Sequence, residues 1–214
     1  MQIYMDKKMN ILLWVAGFIS VMAVTACTEN SKQENRHTQK TNESMEFLEL
    51  VKTRRSIRNY LPQEVEQEKL DYIMETVRLA PSAANIQPWY FYIIQSEEAK
   101  KAVTESYPAR WMATAPMYIV ACGNSEVSWK RNSYDGKDYV DVDVAIAFEH
   151  LCLAAAEQGL GTCWIAHFDP EKITALLNIP SHLTPVAITP LGYPHPEQGQ
   201  RTPRKKMEEI REVR

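Results

Sequence analysis

Hydrophobic and polar positions alternate along this chain with two periods. Over 66–80, Leu70, Ile73, Met74, Val77 and Leu79 recur at helical spacing, and Pro81 ends the run. A polar loop, PSAANIQPW over 81–89, leads into the aromatic and β-branched run 90–94, which predicts a strand. The spacing predicts a second, more polar helix over 97–107 and a strand over 117–122 (MYIVAC), opened by Pro116 where a missing N–H does least harm. Residues 139–158 are apolar nearly all round, which predicts a helix at the centre of the fold or at an oligomer interface. Gly159-Leu160-Gly161 caps it, and 162–166 predicts a returning strand. Asp169 then reads as an N-cap with Pro170 at the first helical position, opening a helix to Leu177. The last core strand is 186–189, with Pro190 expected to limit how centrally its far end pairs. Helices interspersed with about four strands, without regular βαβ repetition, indicate an α+β fold.

The first 44 residues follow different rules. Lys7 and Lys8 precede an apolar run over 11–24 that ends in Val24-Thr25-Ala26-Cys27. This is the layout of a signal peptide, and the run is shorter than the ~20 residues of a permanent span. Its last four residues resemble a bacterial lipobox, which makes Cys27 the expected lipidation site and the bacterial cell envelope the expected address. Residues 28–44 hold no large apolar side chain and read as a flexible tether. The expected organisation is therefore 1–26 signal, 27–44 tether and 45–214 folded domain. The competing reading, a cytosolic protein whose start lies near Met45, leaves the order basic, apolar, small, Cys unexplained.

Composition narrows the field. The chain has 214 residues with 45% apolar and 24% charged positions, enough for one domain with a full core. A net charge of -3 argues against a nucleic-acid surface, which needs a clear excess of Lys and Arg. Neither a GxGxxG nor a GxxxxGK[ST] occurs, so no glycine-rich loop cradles a phosphate. A GxSxG elbow is absent, and the five histidines show neither HExxH spacing nor a CxxC partner, so no metal site is expected. Cys122, Cys152 and Cys163 each sit in an apolar run and read as buried small residues without catalytic role. His150 reads as a hydrogen-bonded core histidine, and Trp89 and Trp164 as core.

The densest candidate chemistry is RRSIR, residues 54–58: three guanidiniums and a hydroxyl within five positions. Guanidiniums donate paired, charge-assisted hydrogen bonds to a phosphate, and a serine adds a short donor between them. In an extended segment Arg54, Ser56 and Arg58 share one face, with Arg55 and Ile57 on the other. Taken alone, the run reads more readily as a solvated basic turn beside a helix end. The 123–138 stretch is long for a plain connection and reads either as a lid or substrate wall or as an irregular excursion.

RRSIR, PSAANIQPW, the apolar helix running into GLGTCWIAHFD, and a late PRK at 203–205, in this order, resemble the FMN-dependent nitroreductase family over about 47–210. The resemblance implies a central, mostly antiparallel sheet flanked by helices, and a homodimer with exchanged terminal segments and two FMN sites at its interface. It implies that Arg54, Arg55 and Ser56 hold the FMN phosphate and ribityl chain with Arg204, and that Arg58 faces the pyrimidine edge. Pro81, Ser82, Asn85 and Gln87 are expected from the other subunit, and a backbone N–H at Ile165 or Ala166 is expected to reach flavin N5. Some members carry Glu-Gly where this chain has Ala166 and His167; His167 either takes over that place or is structural. Arg110 lies near a position where some members place a basic residue.

The function implied is two-electron reduction of a small acceptor such as a nitroaromatic or quinone, with NADH or NADPH as donor and no residue assigned as catalytic. The alternatives are reductive dehalogenation or flavin modification within the superfamily, or a flavin-binding lipoprotein without turnover. The export address sits awkwardly with a nicotinamide donor, and predicts slow turnover with NAD(P)H and faster reduction by a membrane-associated donor.

Overall fold

The computed structural model describes residues 46–199 and 201–214. The segment read as a signal, Cys27 and the tether lie outside the described residues. Among the described residues the α-helices are α1 (Phe47–Thr53), α2 (Gln67–Arg78), α3 (Glu97–Ser106), α4 (Val140–Glu157) and α5 (Pro170–Leu177). They flank four strands, β1 (Trp89–Ile94), β2 (Met117–Gly123), β3 (Gly161–Thr162) and β4 (Thr184–Gly192), paired antiparallel throughout in the order β1-β2-β4-β3. Local signals act as read: Ser96 caps α3 by accepting from Ala99 N at 3.3 Å, and Asp169 caps α5 by accepting from Lys172 N at 2.9 Å, with Pro170 in the first turn.

The sheet is covered on both faces, so β2 is buried at all its positions. Its period of two feeds two cores. Met117, Ile119 and Ala121 meet Leu70, Ile73 and Val77 of α2 and Val144, Phe148 and Leu151 of α4. Tyr118, Val120 and Cys122 meet Val103 of α3 and Ile173 of α5. Helix α4 carries most of the first core yet leaves Val142 exposed and Ile146 and Leu153 half-buried, as a helix apolar on all sides must when one chain covers only part of it.

Three expectations are corrected. Of the strand expected over 162–166 only Thr162 is ladder-paired, with Gly161 before it, and the chain rejoins β4 through a lone bridge between Ile165 and Ile188. The interruption falls beside Pro190, which has no N–H. There Thr189 substitutes its hydroxyl, accepting from Cys163 N at 3.0 Å and donating to Pro190 O at 2.7 Å. Pro190 itself pairs with Tyr118 inside a central strand, so it does not limit β4, which runs on to Gly192. Trp164 is not core: it is 38% exposed and lies edge-on to Phe148, ring centroids 4.2 Å apart. Trp89, by contrast, is half-buried against the first core.

Candidate functional site

Residues 54–58 run extended alongside β3. Ser56 bridges Thr162 in parallel, and Ile57 N donates to Thr162 O at 2.8 Å. Ile57 can come this close because residue 161 is glycine: a Cβ there would lie 2.6 Å from Ile57 Cγ1. Arg54, Ser56 and Arg58 each favour the thiolate of Cys163, while Arg54 also shares a cavity with Arg55 and Ile57, so the two faces of the segment are not cleanly separated. Burial nevertheless pushes the Cys163 thiol up, against the pull of the two guanidiniums and the hydroxyl.

The three arginines are poorly compensated. Arg54 Nε lies 3.6 Å from Glu149 Oε1, a loose ion pair, and among the described residues no carboxylate pairs with Arg55 or Arg58. Arg58 instead holds its guanidinium 5.9 Å from the centroid of the Trp111 ring. Arg54 and Arg55, with Thr53, Ile57, Ala156, Gly159, Leu160, Thr162 and Pro194, line a cavity of about 240 Å³. Like charges this close favour an anion between them, which is the donor set a phosphate fits.

Arg204 does not join the row in one chain. It is exposed, its guanidinium donating to the carbonyl and hydroxyl of Thr202. Arg201 of the same tail reaches α1, donating to Val51 O at 3.5 Å, a contact that nothing in the local pattern announces.

The 81–89 loop is a tight, strained turn. Ala84, Asn85 and Gln87 all take left-handed conformations (φ 51, 56 and 55), each costing on the order of 1–3 kcal/mol for a side-chain-bearing residue. Ser82 Oγ accepts from Gln87 N at 2.8 Å, and Gln87 Nε2 donates to Asn85 Oδ1 at 2.8 Å. Pro81, Asn85 and Gln87 are exposed and Ser82 half-buried. The turn is tied to the first turn of α4 by Ala83 N donating to Asp143 Oδ1 at 2.9 Å. Asp143 was not foreseen as a site residue; its only sequence signal is an acid among apolar positions early in a helix. Arg54 and its cavity lie further along the same helix, at Glu149 and Ala156, roughly 10–20 Å of helix from Asp143. One chain therefore does not bring the loop and the arginine row together.

Beyond β3 the two expected backbone donors differ. Ile165 N is taken by Ile188 O at 3.0 Å, which removes it as a hydrogen-bond donor to any ligand. Ala166 is exposed, and its N–H has no acceptor among the described residues. His167 is exposed, and with Ser106, Tyr107, Pro108, Ala109, Phe168 and Asp169 it lines a cleft of about 490 Å³. Tyr107 lies edge-on to Trp111 at 6.1 Å, so the cleft and Arg58 share an aromatic wall. Arg110 is exposed in the turn between them. His150 is half-buried, its Nδ1 3.1 Å from Thr76 O.

The 124–139 loop knits onto itself and onto α4. Ser128 Oγ and Val140 N both donate to Asp138 Oδ1, Trp129 packs edge-on to Tyr139 at 5.1 Å, and Asn124 N ties its start to Pro88 O. It is thus an ordered rim beside the 81–89 turn. Among the described residues no cluster of His, Cys, Asp and Glu is arranged to hold a metal ion.

A family model described as "Nitroreductase family" matches residues 51–109 and 103–193. The chain belongs to the nitroreductase family. It is 34% identical over 167 residues to a Methanothermobacter thermautotrophicus protein whose name reads NADH dehydrogenase/NAD(P)H nitroreductase, covering 73% of this chain and 82% of that protein. It is 29% identical over 180 residues to the FMN reductase [NAD(P)H] of Bacillus subtilis, covering 77% of this chain and 72% of the other. A crystal structure of a nitroreductase family protein from Clostridium difficile 630 superposes with a TM-score of 0.71 at 33% identity, over 78% of this chain and 98% of that one. The nitroreductase fold, an antiparallel sheet flanked by helices, is that of the described domain.

Proposed function

We propose that this nitroreductase-family chain is an FMN-dependent oxidoreductase that passes two electrons from NAD(P)H to a small nitroaromatic or quinone acceptor. The observation that carries this reading is the row Arg54, Ser56, Arg58, undercompensated in charge and packed against β3, with the exposed Ala166 four residues beyond the end of that strand. The names of the Bacillus and Methanothermobacter relatives supply FMN and NAD(P)H as the expected partners. When bound, FMN accepts and returns the electron pair.

Arg54, Arg55 and Ser56 would hold its phosphate, with Arg204 closing over it. Arg58 is kept in place by Trp111, and a fixed cation favours a ring that carries negative charge after reduction. Ala166 N–H would orient the ring edge, and His167 and Tyr107 would exclude water on the cleft side. Asn85 and Gln87 sit too far along α4 to complete this site in one chain, which supports a homodimer in which one subunit's turn meets the other's arginine row. The exposed apolar side chains Phe47, Leu48, Met207 and Ile210 support terminal segments that cover a second copy.

Lipidation at Cys27, and with it an envelope address, is a separate part of the proposal and rests on residues 7–27 alone. The test of function is the visible spectrum of the purified protein. A bound flavin that bleaches with NADH or NADPH and recovers on adding a nitroaromatic or quinone supports the reading. Flavin without bleaching by any donor, or recovery only with a halogenated phenol, would replace it with a binding protein or a dehalogenase.

A further inference from the structure

Asp143 is 1% exposed, yet only half of its carboxylate is used. Oδ1 accepts from Ala83 N at 2.9 Å, while Oδ2 is buried without a partner among the described residues. A carboxylate oxygen shut from water and unpaired works against folding, so a residue selected for stability at this place in α4 would be apolar like its neighbours Val142 and Val144. The bond it does make crosses 60 positions of chain to the one segment where three non-glycine residues in four adopt left-handed backbone, Ala84, Asn85 and Gln87. Such a turn persists only where surrounding groups hold it. Ser82 Oγ holds its far end through Gln87 N, and Asp143 holds its near end through Ala83 N.

We propose that Asp143 is the positioning residue of the 82–87 turn: by anchoring Ala83 it fixes the left-handed backbone that presents the paired side chains of Asn85 and Gln87 outward. The location favours this role, because the first turn of α4 carries the positive end of the helix dipole, which suits an acidic side chain. What the presented amides bind rests on the flavin reading above; the anchoring itself does not.

The experiment uses the full-length protein freed of flavin, with amide hydrogen exchange at Ala83 as the first readout and FMN affinity, by quenching of FMN fluorescence, as the second. In Asp143→Ala, Ala83 exchanges at least about tenfold faster and FMN affinity drops about tenfold, while the thermal midpoint stays close to that of the wild type. Asp143→Asn keeps an acceptor oxygen facing Ala83, so its Ala83 protection and its FMN affinity stay within about threefold of the wild type. Unchanged Ala83 exchange in Asp143→Ala overturns the proposal, as does an Asp143→Asn variant that loses as much as Asp143→Ala, or an Asp143→Ala chain that does not fold. A wild type that binds no FMN defeats the flavin reading instead, and the exchange measurement still decides the role of Asp143.

Discussion

Ile57 rests on the bare Cα of Gly161, its Cγ1 2.6 Å from where a Cβ would stand. That single contact sets how closely the arginine row lies against β3, because Ile57 N is also bonded to Thr162 O. Gly161→Ala must push Ile57 and its flanking arginines outward. Overpacking of this kind costs about 1–3 kcal/mol, so the melting temperature falls, and the row's spacing to Thr162 changes with it. Thermal unfolding checks the first effect. A larger loss of FMN affinity than in Gly199→Ala, where an added Cβ meets nothing within 4 Å and the backbone is not left-handed, checks the second.

Arg54→Ala is expected to weaken FMN binding with little change in fold stability, since its ion pair with Glu149 is loose and Glu149 is half exposed. One charge-assisted hydrogen bond contributes roughly 1.5–3 kcal/mol, or about tenfold to a hundredfold in affinity. Arg204→Ala has the same effect only if the tail crosses to a second copy, because within one chain its guanidinium stays on Thr202. Equilibrium titration with FMN separates the two; full flavin occupancy in both variants would defeat the phosphate assignment.

The thiols give a pH signature. Burial pushes Cys122 and Cys152 up to about 12 from an ordinary value of 9.0. A thiol raised on folding binds its proton more tightly in the native state, so its stabilising effect is complete below pH 9 and is lost as pH climbs from 9 towards 12. At pH 8 Cys122 and Cys152 of the native protein should therefore resist iodoacetamide, and both should label once the protein is unfolded. Denaturant unfolding should show stability declining on the alkaline side, and Cys122→Ala should flatten that decline.

Much of this architecture was legible before the structure. The helical spacing of Leu70, Ile73 and Val77, the Asp169-Pro170 start of α5, and the apolar wrap of α4 are local patterns, and local patterns report local structure. The arginine-rich segment was legible as a dense patch of donors for the same reason, whereas its sorting into two faces was not, because Arg54, Arg55 and Ile57 line one cavity. What escaped depends on groups far apart in sequence. Nothing near Pro190 shows that the Thr189 hydroxyl bridges Cys163 N and Pro190 O where the β3–β4 ladder stops. Nothing near Asp143 shows that it anchors Ala83, and Ile165 looked available as a donor until its pairing with Ile188 was seen.

The last expectation concerns a second copy of the chain. Asn85 and Gln87 are tied to the first turn of α4 through Ala83 and Asp143, whereas the arginine row faces the later part of that helix at Glu149 and Ala156. A helix is rigid over this span, so no loop motion within one chain closes a gap of roughly 10–20 Å along it. If both sets of residues hold one flavin, the site takes its arginines from one subunit and its amides from the other. This arrangement makes a prediction that single-chain sites do not share. Arg58→Ala and Asn85→Ala are each expected to damage both sites of their homodimers. When the two variants are unfolded together and refolded, the mixed dimer pairs the intact Arg58 of one chain with the intact Asn85 of the other. It thereby regains one complete site of two, and leaves the other site doubly damaged. Statistical mixing makes half of the dimers mixed, so tight FMN binding should return to about one quarter of all sites. A site built within one chain would regain none, because every chain in the mixture still carries one lesion. Tight FMN binding that stays absent after mixing, or light scattering that shows a flavin-loaded monomer at micromolar concentration, would refute the two-chain site.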